Sequence, residues 1–90
     1  MRQCSPHTWR TPTPDDDGLA CETCGRFLDF MEDITPNMRA SIIVAYEDRR
    51  GPAHGERFRT AFATAEAAAR ARWHARRRAR LAPWPTTART

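Results

Sequence analysis

Three cysteines and one histidine near the start of the chain have the types and spacing of metal ligands. Two residues separate Cys4 from His7, two separate Cys21 from Cys24, and thirteen lie between the pairs. Each pair lets one tight turn aim two side chains at a common point, which suits the tetrahedral shell of Zn²⁺. All four ligand positions would then be filled by the protein. The pattern predicts a structural zinc ion rather than a catalytic one with an open position for water.

The neighbouring residues indicate how these ligands are positioned. Pro6 stiffens the first pair, and Gly25 follows the second pair, where a turn around a metal often needs a positive φ. Residues 8–11 are predicted to form a short strand and residues 19–20 its return, with Asp17-Gly18 as a turn signal between them. We therefore expect the site at one end of a small β-hairpin.

The two ligand pairs resemble the knuckles of zinc ribbons and related zinc-knuckle proteins. The similarity covers residues 2–28 and rests on Cys4-Ser5-Pro6-His7 and Cys21-Glu22-Thr23-Cys24-Gly25, with one histidine in place of a cysteine. The resemblance implies a structural metal, in a family whose members commonly contact nucleic acid or the transcription machinery. It implies no reaction.

Two other interpretations of the cysteines remain open. Cys21 and Cys24 alone have the spacing of a redox pair, although no βαβ pattern surrounds them. In the second interpretation, Cys4 and His7 do not share a metal ion with Cys21 and Cys24. The other histidines, His54 and His74, are predicted to be ordinary exposed side chains.

The residues after the second knuckle are predicted to form a short piece and then a helix. The apolar residues within 27–34 indicate a turn or helical segment that packs on the hairpin. Thr35-Pro36 predicts a helix start, and the cations and Gly-Pro of residues 49–52 predict its end, so the first helix is expected over residues 36–50. Its apolar face is predicted to contain Met38, Ile42, Ala45 and Tyr46, widened by Ile43.

A second and longer helix is expected to begin between residues 53 and 56 and to reach residue 82. Alanine, arginine and glutamate dominate its sequence, and its apolar stripe contains Phe58, Phe62, Ala65, Ala69 and Trp73. The same line continues with Arg76 and Arg80. We therefore expect the helix to pack on the first helix as far as Trp73 and to project beyond the core after it.

These elements predict a small α+β protein. A zinc-ribbon-like β-hairpin is expected in residues 1–30, two helices packing on it as one compact unit in residues 31–82, and a Pro/Thr-rich tail in residues 83–90. The chain has 90 residues, of which 40% are hydrophobic. A chain this short has little apolar surface to bury, so a metal ion would contribute substantially to its stability.

The charges are distributed unevenly along the chain. All 15 basic residues are arginine and the net charge is +4, but residues 1–56 carry −4 and residues 57–90 carry +8. The coding bias of a GC-rich genome explains the absence of lysine but not the clustering of arginine. The basic end indicates a polyanion or an acidic protein surface as its partner.

Six arginines of the second helix, together with one tryptophan, form the predicted binding surface. They spread around the helix and are suited to bidentate contacts with phosphate, and Trp84 between two prolines is a candidate exposed anchor. This set is Arg70, Arg72, Arg76, Arg77, Arg78, Arg80 and Trp84.

The predicted function is that of a zinc-stabilised accessory protein, without enzymatic activity, that binds DNA or RNA or associates with transcription. No motif for reading bases is present, so contacts with the phosphate backbone would dominate. The alternative is an adaptor, such as a phage or bacterial accessory protein, that docks on an acidic protein partner. Self-association through opposite charges belongs to this alternative.

Other classes are disfavoured by what the sequence lacks. No run of 18 apolar residues is present, and the first residues lack the apolar stretch of a secretory signal. We expect a cytoplasmic protein of a bacterium or a phage-infected cell, with no membrane contact. No open metal centre or small-molecule substrate site is evident, so catalysis is not expected.

Overall fold

The computed structural model describes residues 7–81, which form two strands followed by two helices. Strand β1 comprises Gly18–Ala20, β2 comprises Phe27–Asp29, helix α1 comprises Pro36–Arg50 and helix α2 comprises Pro52–Leu81. This is the small α+β layout expected from the sequence, an antiparallel hairpin followed by two helices of which the second is longer. The predicted end of α2 at residue 82 and the tail at residues 83–90 lie outside the described part of the chain.

One strand of the hairpin is confirmed and the other is not: the predicted strand at residues 19–20 lies within β1, but its hairpin partner is β2 rather than residues 8–11. β1 and β2 pair antiparallel, with the buried residues Leu19 and Leu28 opposite one another. The prediction of a turn or helical segment at the start of residues 27–34 was therefore wrong, because an apolar run this short does not distinguish strand from helix. The predicted strand at residues 8–11 contributes one bridge, between Trp9 and Cys21, on the other edge of β1.

Local capping signals define both ends of α1. The Thr35 hydroxyl accepts a hydrogen bond from the Met38 backbone at 3.2 Å, and Pro36 occupies the first turn, where its missing N–H costs nothing. Gly51 ends the helix with a φ of 96°, a left-handed conformation that favours glycine. The predicted bounds of α1 are confirmed. Helix α2 begins at Pro52, earlier than predicted, because this proline also suits a first helical position.

The apolar stripe of α2 forms the centre of the core, as predicted. Phe58, Phe62 and Ala65 are fully buried, and the ring of Phe62 lies 5.4 Å from that of Phe30. The remaining buried members of this cluster are Leu19, Ile43 and Ala69. The core therefore joins residues from the hairpin region and from both helices.

The apolar face of α1 is rotated from its predicted position. Ile43 is the buried residue of this helix, whereas Met38 and Ala45 are exposed. Periodicity identifies an apolar stripe, but it does not determine which edge of a wide stripe meets the neighbouring helix. Met38 and Ala45 consequently line an open groove beside α1.

Helix α2 extends well past α1. Its 30 residues span about 45 Å, twice the length of the 15-residue α1. The Arg39–Glu66 ion pair, 3.0 Å long, joins the start of α1 to the middle of α2. Trp73 is half-buried, and all of residues 74–81 are exposed. The predicted projection of the arginine-rich end is therefore present. Neither α1 nor α2 has an apolar stretch long enough to cross a lipid bilayer.

Candidate metal centre and basic helix

Three of the four predicted metal ligands lie together in the structure. The donor atoms of His7, Cys21 and Cys24 are all within 4.8 Å of one another, and His7 Nδ1 lies 3.4 Å from Cys24 Sγ. Zn–N and Zn–S bonds of about 2.0 and 2.3 Å at a tetrahedral angle place nitrogen and sulfur about 3.5 Å apart. The spacing of this pair therefore fits a tetrahedral ion. Cys4, the fourth predicted ligand, lies outside the described residues.

The turn of the β-hairpin holds the two cysteines. Cys21 follows β1 directly, its N–H donates to the Arg26 carbonyl at 2.8 Å, and its carbonyl accepts from the Gly25 N–H at 2.9 Å. Gly25 has a φ of 77°, so the positive φ expected after Cys24 is confirmed. The knuckle is thus the turn between β1 and β2. The sequence had instead placed it at one end of a hairpin formed by residues 8–11 and 19–20.

Pairing with the neighbouring segment brings His7 to this turn. The Glu22 N–H donates to the Thr8 carbonyl at 2.8 Å, beside the Trp9–Cys21 bridge. Arg49 on α1 donates from Nη1 to the His7 carbonyl at 3.2 Å. His7 is therefore held by the sheet edge on one side and by α1 on the other. The sequence did not reveal the role of Arg49, because no spacing rule relates it to the ligands.

The surroundings of Cys21 favour a thiolate. Burial acts to raise the pKa of its thiol. The backbone N–H groups of Cys24 and Thr8, the His7 ring and the N–H of Thr23 act in the opposite direction and lower the pKa from 9.0 to about 5. The Thr8 N–H lies 3.3 Å from the sulfur. A thiolate is the form in which cysteine binds metals.

The structure also bears on the other interpretations of the cysteines and histidines. Cys21 and Cys24 are not joined by a disulfide, and the imidazole of His7 faces the sulfur of Cys24. This third donor is more typical of a metal site than of a redox pair. His54 and His74 are exposed and distant in sequence from the cluster, as predicted.

Four of the predicted binding arginines extend beyond the core. Arg76, Arg77, Arg78 and Arg80 are exposed, and within residues 7–81 none of them forms an ion pair. The Arg77 guanidinium lies over the Trp73 ring, 5.4 Å from its centroid. Arg70 is also exposed. Trp84, the predicted anchor, lies outside the residues that the structure describes.

Arg72 differs from the other predicted arginines because it binds a loop of its own chain. Its Nη2 lies 2.8 Å from Asp17 Oδ1, and Nε donates to the same oxygen at 3.2 Å. Nη1 and Nη2 donate to the carbonyls of Pro14 and Asp16 at 2.8 and 3.0 Å. Its guanidinium therefore fastens the loop before β1 to α2. The assignment of Arg72 to partner binding stays a prediction.

Comparison of the chain with protein-family models, curated proteins and solved structures gave no match. The function is therefore inferred from the geometry and chemistry of the hairpin turn and of the arginines at the end of α2.

Proposed function

We propose that this is a small zinc-stabilised protein, without catalytic activity, that binds nucleic acid through the end of α2. The observation that carries the proposal is the exposure of Arg76, Arg77, Arg78 and Arg80 beyond the core, without an acidic partner among residues 7–81. Charged side chains carried outward in this way are available to an anionic ligand.

Zinc suits the donors of the hairpin turn. Two thiolates and an imidazole are ligands that zinc prefers, whereas Mg²⁺ and Ca²⁺ prefer oxygen. Cys4 is proposed as the fourth ligand, which would close the coordination shell and exclude a reactive water. The ion would fasten the segment carrying His7 to the hairpin and so have a structural role.

Metal analysis of purified variants tests the zinc site. We expect about one equivalent of zinc per chain in the wild type, as for a single four-ligand site, and strongly reduced zinc in His7→Ala and Cys4→Ser. His74→Ala is the matched control, because His74 is exposed and lies on α2 away from the cysteines. Equal zinc content in His7→Ala and His74→Ala would contradict the site.

The arginines at the end of α2 are suited to phosphate. A guanidinium group is able to donate two parallel hydrogen bonds to phosphate oxygens, and the release of counterions makes such binding strongly dependent on salt. Arg76 and Arg80 lie one turn apart on the same line of the helix, so both are able to follow one backbone. Binding through the backbone predicts weak sequence selectivity.

Titrations at several salt concentrations test this interface. The triple variant R76A/R78A/R80A is expected to bind duplex DNA or single-stranded RNA more weakly and to lower the salt-dependence slope by about 3, one for each phosphate that the variant no longer neutralises. The control R10A/R57A/R59A removes the same charge from exposed positions elsewhere. Equal weakening of binding in both variants, or no wild-type binding at low salt, would refute the proposal.

The alternative function, an adaptor for an acidic protein partner, would use the same exposed end of α2. Under this alternative the R76A/R78A/R80A variant no longer retains a protein partner from a nuclease-treated lysate, and the wild type binds no nucleic acid. The observation that favours protein recognition lies elsewhere, in an arginine-rimmed groove on α1.

A further inference from the structure

An open apolar groove of about 520 Å³ lies between α1 and the segment that carries His7. Aliphatic side chains of α1 line it, and Trp9 and Leu28 of the hairpin region form part of its opposite wall. The α1 residues concerned include Met38, Ile42 and Ala45. Met38 is 37% exposed, which is high for a methionine on an apolar helix face. Because α1 is rotated toward Ile43, no side chain among residues 7–81 covers this surface.

Three arginines give the groove a positive rim. Arg26, Arg49 and Arg50 line it, and among residues 7–81 no aspartate or glutamate does. Within the described part of the chain none of the three forms an ion pair. Arg49 donates to the His7 carbonyl, and Arg50 lies over the Tyr46 ring. An apolar floor beside unpaired guanidinium groups complements a ligand that is both apolar and anionic.

We propose that this groove binds an acidic amphipathic segment of a partner protein. Aliphatic or aromatic side chains of the segment would fill the groove, and its carboxylates would pair with the arginines. This surface is separate from the end of α2, and the inference does not depend on nucleic-acid binding.

The aromatic rings of the groove argue against stacked bases as its ligand. Phe58 stacks on one face of Tyr46 with ring centroids 3.9 Å apart, and the Arg50 guanidinium lies over the ring at 5.4 Å. The Tyr46 ring is therefore already engaged by both Phe58 and Arg50. The Trp9 ring packs against that of His7 at 4.9 Å. Apart from His7, Trp9 and Tyr46, none of the described residues that line the groove carries an aromatic ring, so the lining offers a base no further stacking platform.

Fluorescence anisotropy with a labelled synthetic helix tests the proposal. The probe carries leucine along one face and glutamate elsewhere, and its control has lysine in place of glutamate. We expect the full-length protein to bind the glutamate probe only. Ala45→Glu is expected to weaken binding about tenfold, because it adds bulk and repulsion within the groove. Ala40→Glu, at an exposed position of α1 outside the groove, should change the affinity for the glutamate probe less than twofold.

A second pair of variants tests the rim without altering the apolar floor. Arg50→Ala should weaken the binding of the glutamate probe severalfold. Arg59→Ala, which removes an exposed arginine of α2, should leave that binding unchanged. Equal binding of both probes, or equal effects of Ala45→Glu and Ala40→Glu, would overturn the proposal.

Two further measurements distinguish the other possible occupants of the groove, which are nucleic acid and a second copy of this chain. Competition between the glutamate probe and an oligonucleotide, with both weakened by Ala45→Glu, would overturn the assignment in favour of nucleic acid. Self-association of the wild type in sedimentation that Ala45→Glu abolishes would assign the groove to a second copy. The glutamate probe could also fail to bind while nucleic acid still binds through the end of α2 with the expected salt dependence. That result would refute this inference and leave the proposed function intact.

Discussion

At the scale of single residues, His7 links several features of the molecule. Its ring faces Cys24, its carbonyl accepts from Arg49, and it lines the groove beside Trp9. A side chain that binds an ion loses rotational freedom, so an ion at this position would also order one wall of the groove. The spacing in the sequence indicated the ring as a ligand, but only the fold shows these other contacts.

Arg72 is expected to contribute to stability rather than to binding. Arg72→Ala removes an ion pair and hydrogen bonds to two carbonyls, and we expect the free energy of unfolding to fall by about 1 kcal/mol, since the pair is partly exposed. Urea denaturation measures this change. Arg70→Ala, an exposed arginine on the same helix, is the control and should be nearly neutral. Equal stabilities for the two variants would show that the tether contributes nothing.

At the scale of elements, the two helices were predictable because their signals are local. A capping threonine, a proline in the first turn and a glycine at the end each act on the nearest turn of backbone. The hairpin was less predictable. Three-residue strands carry too few residues to show a period, and their pairing depends on which segments the core brings together.

The N-cap of α1 provides a test at this scale. Thr35→Ala removes the acceptor for the Met38 N–H, and we expect a loss of about 1 kcal/mol in the free energy of unfolding. Thr64→Ala, at an exposed position inside α2, should be neutral or slightly stabilising because alanine favours helix. Chemical denaturation of both variants checks the prediction, which an unchanged Thr35→Ala protein would contradict.

At the scale of the whole molecule, the hairpin region and the helices share one core. Leu19 and Phe30 pack in the same buried cluster as Ile43 and Phe62. A perturbation of the candidate metal site is therefore expected to reach the helices through these contacts. Because the buried cluster within residues 7–81 draws on both parts, we expect neither part to be stable alone.

Removal of the proposed metal ion should accordingly destabilise the helices as well as the hairpin. A ligand present at 100 times its dissociation constant stabilises the folded state by about 2.7 kcal/mol, so a chelator is expected to lower the melting temperature followed by helical circular dichroism. In His74→Ala the chelator should lower the melting temperature as much as in the wild type, and in His7→Ala it should change the melting temperature little. Superimposable melting curves with and without chelator would disprove the coupling.

The sequence by itself determined the features that depend on short-range chemistry. These are the bounds of α1, the apolar stripe of α2, the knuckle around Cys21 and Cys24, and the arginines that continue the stripe of α2 beyond the core. Each depends on residues within one or two turns of one another, so spacing is enough to predict it.

The tertiary structure decided what depends on residues distant in sequence. It joined Arg49 to the His7 carbonyl, bound Arg72 to the loop at Asp17, and rotated α1 so that Ile43 is buried and Met38 remains exposed. No periodicity encodes these contacts. They follow from how one particular core fills its volume, which depends on all the packed side chains together.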